Sequence, residues 1–228
     1  MNPIRFSLSD YENHIRAYVE PRYPDLVEPY RQAAHITDKA IKSGQLSDDD
    51  LAILVAHASN SKTVLSDNVG GMLTVLATHF PSALRALEQM TQSSKVGIRV
   101  NALMSLPDCA QIETIYAAAL QDKSKKVRGA VAVQIWQRRI TALLPALDQA
   151  IQREQDAEER KGMQWCRSLF RDGYWLETNE PAGVIWVTVV LSGSTTTRSF
   201  PLEQFETQGK AWMAPYIAEW KKICGWPD

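Results

Sequence analysis

From Leu26 to Phe170, apolar residues return every three or four positions, in segments separated by short polar or proline-bearing stretches. That period gives each segment one buried stripe, which predicts a succession of amphipathic helices. The first spans Leu26 to Lys42, with Val27, Tyr30, Ala34 and Ile41 on its apolar side and Gly44 where it stops. Ser47 followed by Asp48, Asp49 and Asp50 predicts the next start. The cap oxygen accepts orphan amides there, and the acids oppose the positive helix end. Leu51, Leu54, Val55 and Ala58 form the stripe of that helix. A third runs from about Thr63 to His79 with Gly70-Gly71 inside it. Each glycine costs about 1 kcal/mol relative to alanine, so the pair marks a close helix contact or a kink.

Pro81, suited to a first helical position, opens a helix that turns Leu84, Leu87 and Met90 inward. Helices follow near Val96 to Leu106, Ala110 to Gln121, Lys125 to Arg138, Ile140 to Gln152 and Ala157 to Phe170, with Pro107 and Asp108 parting one pair. Isolated helices shorter than ~12–15 residues are marginal in water, so these must pack as hairpins on neighbouring hairpins.

Three stretches are variants of one another. Asp122-Lys123-Ser124-Lys125-Lys126-Val127-Arg128 leads into Ala130, Ala132, Val133 and Trp136. Ser94-Lys95-Val96-Gly97-Ile98-Arg99 leads into Ala102, Leu103 and Leu106, and Asp156-Ala157-Glu158-Glu159-Arg160 leads into Met163, Trp165, Cys166 and Leu169. Repetition at a spacing of roughly 30 residues marks a helical solenoid. The Asp122 to Val133 stretch, followed by Leu143-Leu144-Pro145-Ala146-Leu147, resembles HEAT repeats over about residues 80–172, and less closely over 47–79. In that family an acidic residue lies in the turn within the repeat, a Val-Arg pair opens the second helix and a Leu-Pro-Ala-Leu-type run forms the first helix of the next unit.

The pattern changes after residue 175. Gly183 to Leu191 is rich in β-branched and aromatic residues, Ser192-Gly193-Ser194 is a turn signal, and Thr195 to Phe200 is a second such run, which together predict a β-hairpin. Pro201 ends it. Leu202 to Ile223 then reads as a helix with Phe205, Trp212, Met213, Tyr216, Ile217 and Trp220 on its apolar side, interrupted by Gly209 and Pro215. A lone hairpin is marginal in water, so the helix, the solenoid end or another chain must cover it. The expected fold is mostly α: an N-terminal helical segment (1–46), an α-solenoid of HEAT-like helical hairpins (47–175), and a small β-hairpin plus helix capping the last repeat (176–228).

Composition adds bounds. The chain has 228 residues, 45% of them hydrophobic and 22% charged, with a net charge of −1. No run approaches the ~20 apolar residues that span a bilayer, and the N-terminus lacks a basic start followed by an apolar core. A cytoplasmic protein without membrane contact is expected. Cys109, Cys166 and Cys224 are odd in number and far apart, which suits reduced, buried small hydrophobes rather than a disulfide framework or a metal site. Charge is uneven: residues 122–172 hold eleven Lys/Arg against seven Asp/Glu, a local +4, while both ends are negative. That segment can attract an acidic protein surface; a nucleic-acid-binding domain usually carries a far stronger basic excess.

All seven tryptophans follow residue 135, in the half that also holds the arginine-rich segment. Interfaces are enriched in Trp and Arg. The candidate binding residues are therefore Arg128, Trp136, Arg139, Arg160, Trp165, Arg167, Arg171 and Trp175, with Trp175 and Trp226 the best placed for exposure. The competing reading is that most of these indoles fill the core between the last repeats and the hairpin.

Catalytic patterns are not found. His14, His35, His57 and His79 lack HExxH spacing, Val69-Gly70-Gly71 lacks the Gly-Lys-Ser/Thr ending of a phosphate loop, and no Gly-x-Ser-x-Gly elbow occurs. Asp48 to Asp50 and Glu158-Glu159 sit where helix caps and solvated turns explain them. No cofactor or metal is expected. The sequence points to a non-catalytic macromolecule-binding protein: an adaptor, an assembly factor, or a bacterial immunity protein that neutralises a toxin. Its partner is another protein, and a homodimer through the C-terminal hairpin is open. The alternative comes from the resemblance, since HEAT-like bacterial glycosylases remove alkylated DNA bases using tryptophans and an aspartate; Trp136, Trp165 and Asp156 would be the counterparts.

Overall fold

A computed structural model describes residues 6–191 and 194–225 of the chain. Trp226 and the Ser192-Gly193 part of the expected turn lie outside these residues. The helices in order are α1 (Leu8–His14), α2 (Val27–Ser43), α3 (Asp48–Ala58), α4 (Thr63–Ala77), α5 (Pro81–Met90), α6 (Val96–Ser105), α7 (Ile112–Ala119), α8 (Lys125–Arg138), α9 (Leu144–Arg153) and α10 (Ala157–Asp172). Three strands follow, β1 (Tyr174–Asn179), β2 (Val184–Leu191) and β3 (Ser194–Pro201), then α11 (Leu202–Gln204) and α12 (Lys210–Cys224). The chain divides into two compact units, residues 1–115 and 116–228, so residues 176–228 belong to the same unit as 116–175.

In the first unit α4 packs against α2, α3, α5 and α6. Leu65, Val69, Met72, Leu73, Val75 and Leu76 of α4 are all buried, as a helix surrounded by others requires. Gly70 is the reason α6 can approach: a Cβ there would collide with Ser105 Oγ and Asn101 Oδ1. The glycine pair thus serves a close contact, and α4 continues through it. The polar groups at this contact are satisfied. Asn101 Nδ2 donates to the carbonyls of Ala58 (2.8 Å) and Ser66 (2.9 Å), and Thr74 Oγ1 donates to the carbonyl of Ser105 (2.5 Å).

The turns before α4, α6, α8 and α10 share one construction. Each N-cap residue, Lys62, Lys95, Ser124 and Asp156, has extended backbone. Its N–H donates to the side chain two positions upstream: Asn60 Oδ1 (2.8 Å), Ser93 Oγ (3.3 Å), Asp122 Oδ1 (2.7 Å) and Glu154 Oε1 (3.0 Å). In the last three copies the fourth helical residue is an arginine that donates to the carbonyl six positions before it. Arg99 reaches Ser93 O (2.7 Å), Arg128 reaches Asp122 O (2.7 Å) and Arg160 reaches Glu154 O (2.9 Å). The repeated arginine therefore closes the turn that precedes its own helix. Ser66 stands at that position in α4, and the α6 side chain Asn101 bonds the carbonyls of Ala58 and Ser66.

The C-terminal element is a three-stranded antiparallel sheet in the order β1-β2-β3, where sequence predicts a two-stranded hairpin. The missed strand, β1, follows α10 after the single residue Gly173. Tyr174-Trp175-Leu176 is uniformly apolar, so no polar alternation announces it, and the expected domain boundary at 175/176 cuts through it. Gly173 is left-handed (φ 78°), and a Cβ on it would lie 2.5 Å from Trp220 Cδ1. Register places Tyr174, Leu176, Ile185, Val187, Val189 and Phe200 on one face. That face packs with Met213, Phe205, Trp212, Tyr216 and Ile217, so the last helix, one of the three covers the sequence left open, lies on the sheet. Gly209 ends a π-helical turn over Phe205–Gly209, whereas Pro215 lies within α12 without interrupting it.

Candidate functional site

The eight candidate residues all lie in the second unit. Arg128 and Arg160 converge on Glu154, the turn residue of the last hairpin. Arg128 donates to Glu154 Oε2 from Nε (2.8 Å) and Nη2 (2.5 Å), while Arg160 takes the Glu154 carbonyl. Glu154 is only 4% exposed. Burial pulls its carboxyl pKa upward, but the Asp156 N–H and the Arg128 guanidinium outweigh that and leave it below the ordinary value. Arg167 forms a forked pair with Asp148 (2.8 and 3.3 Å), and Arg171 does the same with Asp172 (2.8 and 3.1 Å). Arg139 caps α8 in a left-handed conformation (φ 56°) and lies 5.4 Å from the Trp220 ring centroid. Each of these arginines has an intramolecular engagement, so the local +4 is not a free basic face.

The tryptophans are similarly committed. Trp136 is 7% exposed and meets Trp165, which is half-buried, edge to face at 5.3 Å. Trp220 donates from Nε1 to the carbonyl of Phe170 (3.0 Å). Trp175 is half-buried. Among the described residues the most exposed large apolar side chain is Trp186, at 45%, and it was not among the candidates. Its signal was parity: Ile185, Val187 and Val189 face α12, so residue 186 must face the other way. On that outward face Trp186 has Glu177 and Ser199 as cross-strand neighbours, next to the Trp175-Thr188-Thr197 row. Lys161 Nζ reaches Glu177 Oε1 at 2.6 Å and supplies a charged rim. Lys126 and Lys222 are exposed and have no ion pair among the described residues.

Two carboxylates near the start of α10 are shifted in opposite directions. Asp156 accepts from Lys125 Nζ (2.5 Å) and from the Glu159 N–H (3.0 Å), which hold its carboxyl below the ordinary value. Glu159 lies against Gly129 of α8, and burial, with Glu154 nearby, pushes its carboxyl up. Cys166 is buried and its thiol is pushed up to about 12, by burial and then by Glu159, which suits an inert core thiol. Among the described residues no three of His, Cys, Asp or Glu are grouped to hold a metal ion, and no helix is long and apolar enough to cross a membrane. Comparison with protein-family models, with curated proteins and with solved structures finds no match to this chain.

Proposed function

We propose that the chain is a non-catalytic macromolecule-binding protein: an α-solenoid of HEAT-like hairpins whose sheet and last helix cap the final repeat. The four matching turns, three of them closed by an arginine, support the repeat architecture. The observation that carries the binding reading is Trp186, a large aromatic side chain held outward on a rigid sheet beside Trp175 and the Lys161–Glu177 pair. An aromatic anchor with a charged rim is the usual anatomy of an interface. The partner is another protein with an acidic contact surface, met by the unpaired cations Lys126 and Lys222. The role is that of a cytoplasmic adaptor, assembly factor or toxin-neutralising immunity protein.

Two of the three counterparts of the glycosylase alternative are engaged within the chain, which favours the binding reading. Asp156 is spent on a helix cap and on Lys125, and Trp136 is buried. The test is capture on the immobilised full chain from native lysate, followed by lysine cross-linking and mass spectrometry. A retained acidic protein cross-linked at Lys126, Lys161 or Lys222 supports the proposal; retention of duplex DNA at low salt, with no protein, contradicts it.

A further inference from the structure

The outer edge of β3 is the longer of the two sheet edges among the described residues and presents a template for another strand. β3 is the terminal strand of its sheet, eight residues long, and pairs in continuous register with β2 alone. Among the described residues, no backbone hydrogen bond joins Ser194 to Phe200 to a segment other than β2. Natural edges are normally blunted by lysine, proline, a bulge or an inward-turned charge. Here the register shows no bulge, and Pro201 stands only at the end. Arg198, the single charge, lies along its own strand with its guanidinium 5.1 Å from the Phe200 ring centroid. Ser194 to Thr197 carry nothing that repels a neighbouring strand.

The sequence of this edge matches itself. Antiparallel pairing about a two-fold axis through Thr197 sets Thr195 opposite Ser199 and Thr197 opposite its own copy on the outward face. On the other face Thr196 meets Arg198 and Ser194 meets Phe200. No like charges face each other, and hydroxyl pairs of this kind stabilise cross-strand contacts. Thr197 already bonds Thr188 of β2 at 2.9 Å, so the pairing would continue a row of four threonines across the axis. We propose that a second copy of the chain adds to the β3 edge in this register, giving a two-fold dimer with a continuous six-stranded sheet. Trp186 lies on the central strand β2 and not on the β3 edge, so this inference does not rest on the proposed protein partner. A C2 interface is self-complementary by necessity, and antiparallel strand addition satisfies that requirement with backbone hydrogen bonds.

The test is sedimentation equilibrium on the full chain, with a thermal melt by circular dichroism for each variant. The wild type is expected to sediment as a dimer. Thr197→Asp and Thr197→Lys each place two like charges on the axis and should weaken association by about tenfold or more, with folding retained because the side chain is exposed. An equimolar mixture of the two variants should restore the dimer, since opposite charges then meet. A wild type that stays monomeric at every concentration overturns the proposal. So does a Thr197→Asp protein that remains as dimeric as the wild type. Should one variant fail to melt cooperatively, the wild-type result and the other variant still decide.

Discussion

Arg128 and Glu154 form a nearly dry ion pair that ties the turn before α8 to the turn before α10. The guanidinium spans the carbonyl of Asp122, in its own turn, and the carboxylate of Glu154, in the next. Glu154 in turn accepts the Asp156 N–H, and its carbonyl receives Arg160. One carboxylate thus organises the start of α10. Breaking a buried pair from one side leaves an uncompensated charge, which is costlier than never having had the pair.

Arg128→Ala should therefore destabilise the protein by about 3 kcal/mol, and adding Glu154→Gln should recover part of that loss. The sign with pH follows from the lowered carboxyl of Glu154. Its contribution is present above the unfolded-state pKa and is lost as pH falls through the folded value. Urea unfolding from neutral to acidic pH should show the gap between wild type and Arg128→Ala narrowing as the solution is acidified. A gap constant with pH would mean that the pair is not what the substitution removes.

Glu159 predicts the opposite slope. Its carboxyl is raised by burial and by Glu154, so the folded state favours the protonated form. The favourable contribution is present below the unfolded-state pKa and disappears as pH rises through the folded value. Glu159→Gln, which fixes a neutral side chain against Gly129, should raise the midpoint of unfolding at neutral pH and lose that advantage in acid. An equal or lower midpoint at neutral pH would show that the carboxylate is better solvated than its position implies.

The two glycines of α4 should separate cleanly. Gly70→Ala forces a methyl group into Asn101 and Ser105 and should cost about 2 kcal/mol. Gly71 has nothing within 4 Å of a built Cβ, so Gly71→Ala should gain up to about 1 kcal/mol through helix propensity. Equilibrium unfolding of the two variants measures both, and equal effects would contradict the packing described.

Much of the helical order was legible in the chain. Ser47 caps α3 through its side chain, with the Asp50 N–H donating at 3.1 Å, and α8 spans Lys125–Arg138 as its periodicity predicts. Local chemistry settles such features. The roles of the arginines were not legible, because composition records that Arg128, Arg160, Arg167 and Arg171 are basic but not that each finds an acid or a carbonyl within its own unit. Residue separations of nineteen and twenty-six along the chain are closed only by tertiary packing. Trp175 was expected to be exposed because it lies beside a turn; it is half-buried, and Trp186, on the same face of the sheet, is the exposed one.

The central claim is that the arginines hold the scaffold while Trp186 meets the partner. Capture from native lysate by Trp186→Ala and by Arg128→Glu, each alongside its urea unfolding curve, tests this most directly. Trp186→Ala should unfold with the wild type and lose the captured protein, whereas Arg128→Glu should unfold early and lose it for that reason. A Trp186→Ala protein that captures as well as the wild type, or an Arg128→Glu protein of undiminished stability, would contradict the account.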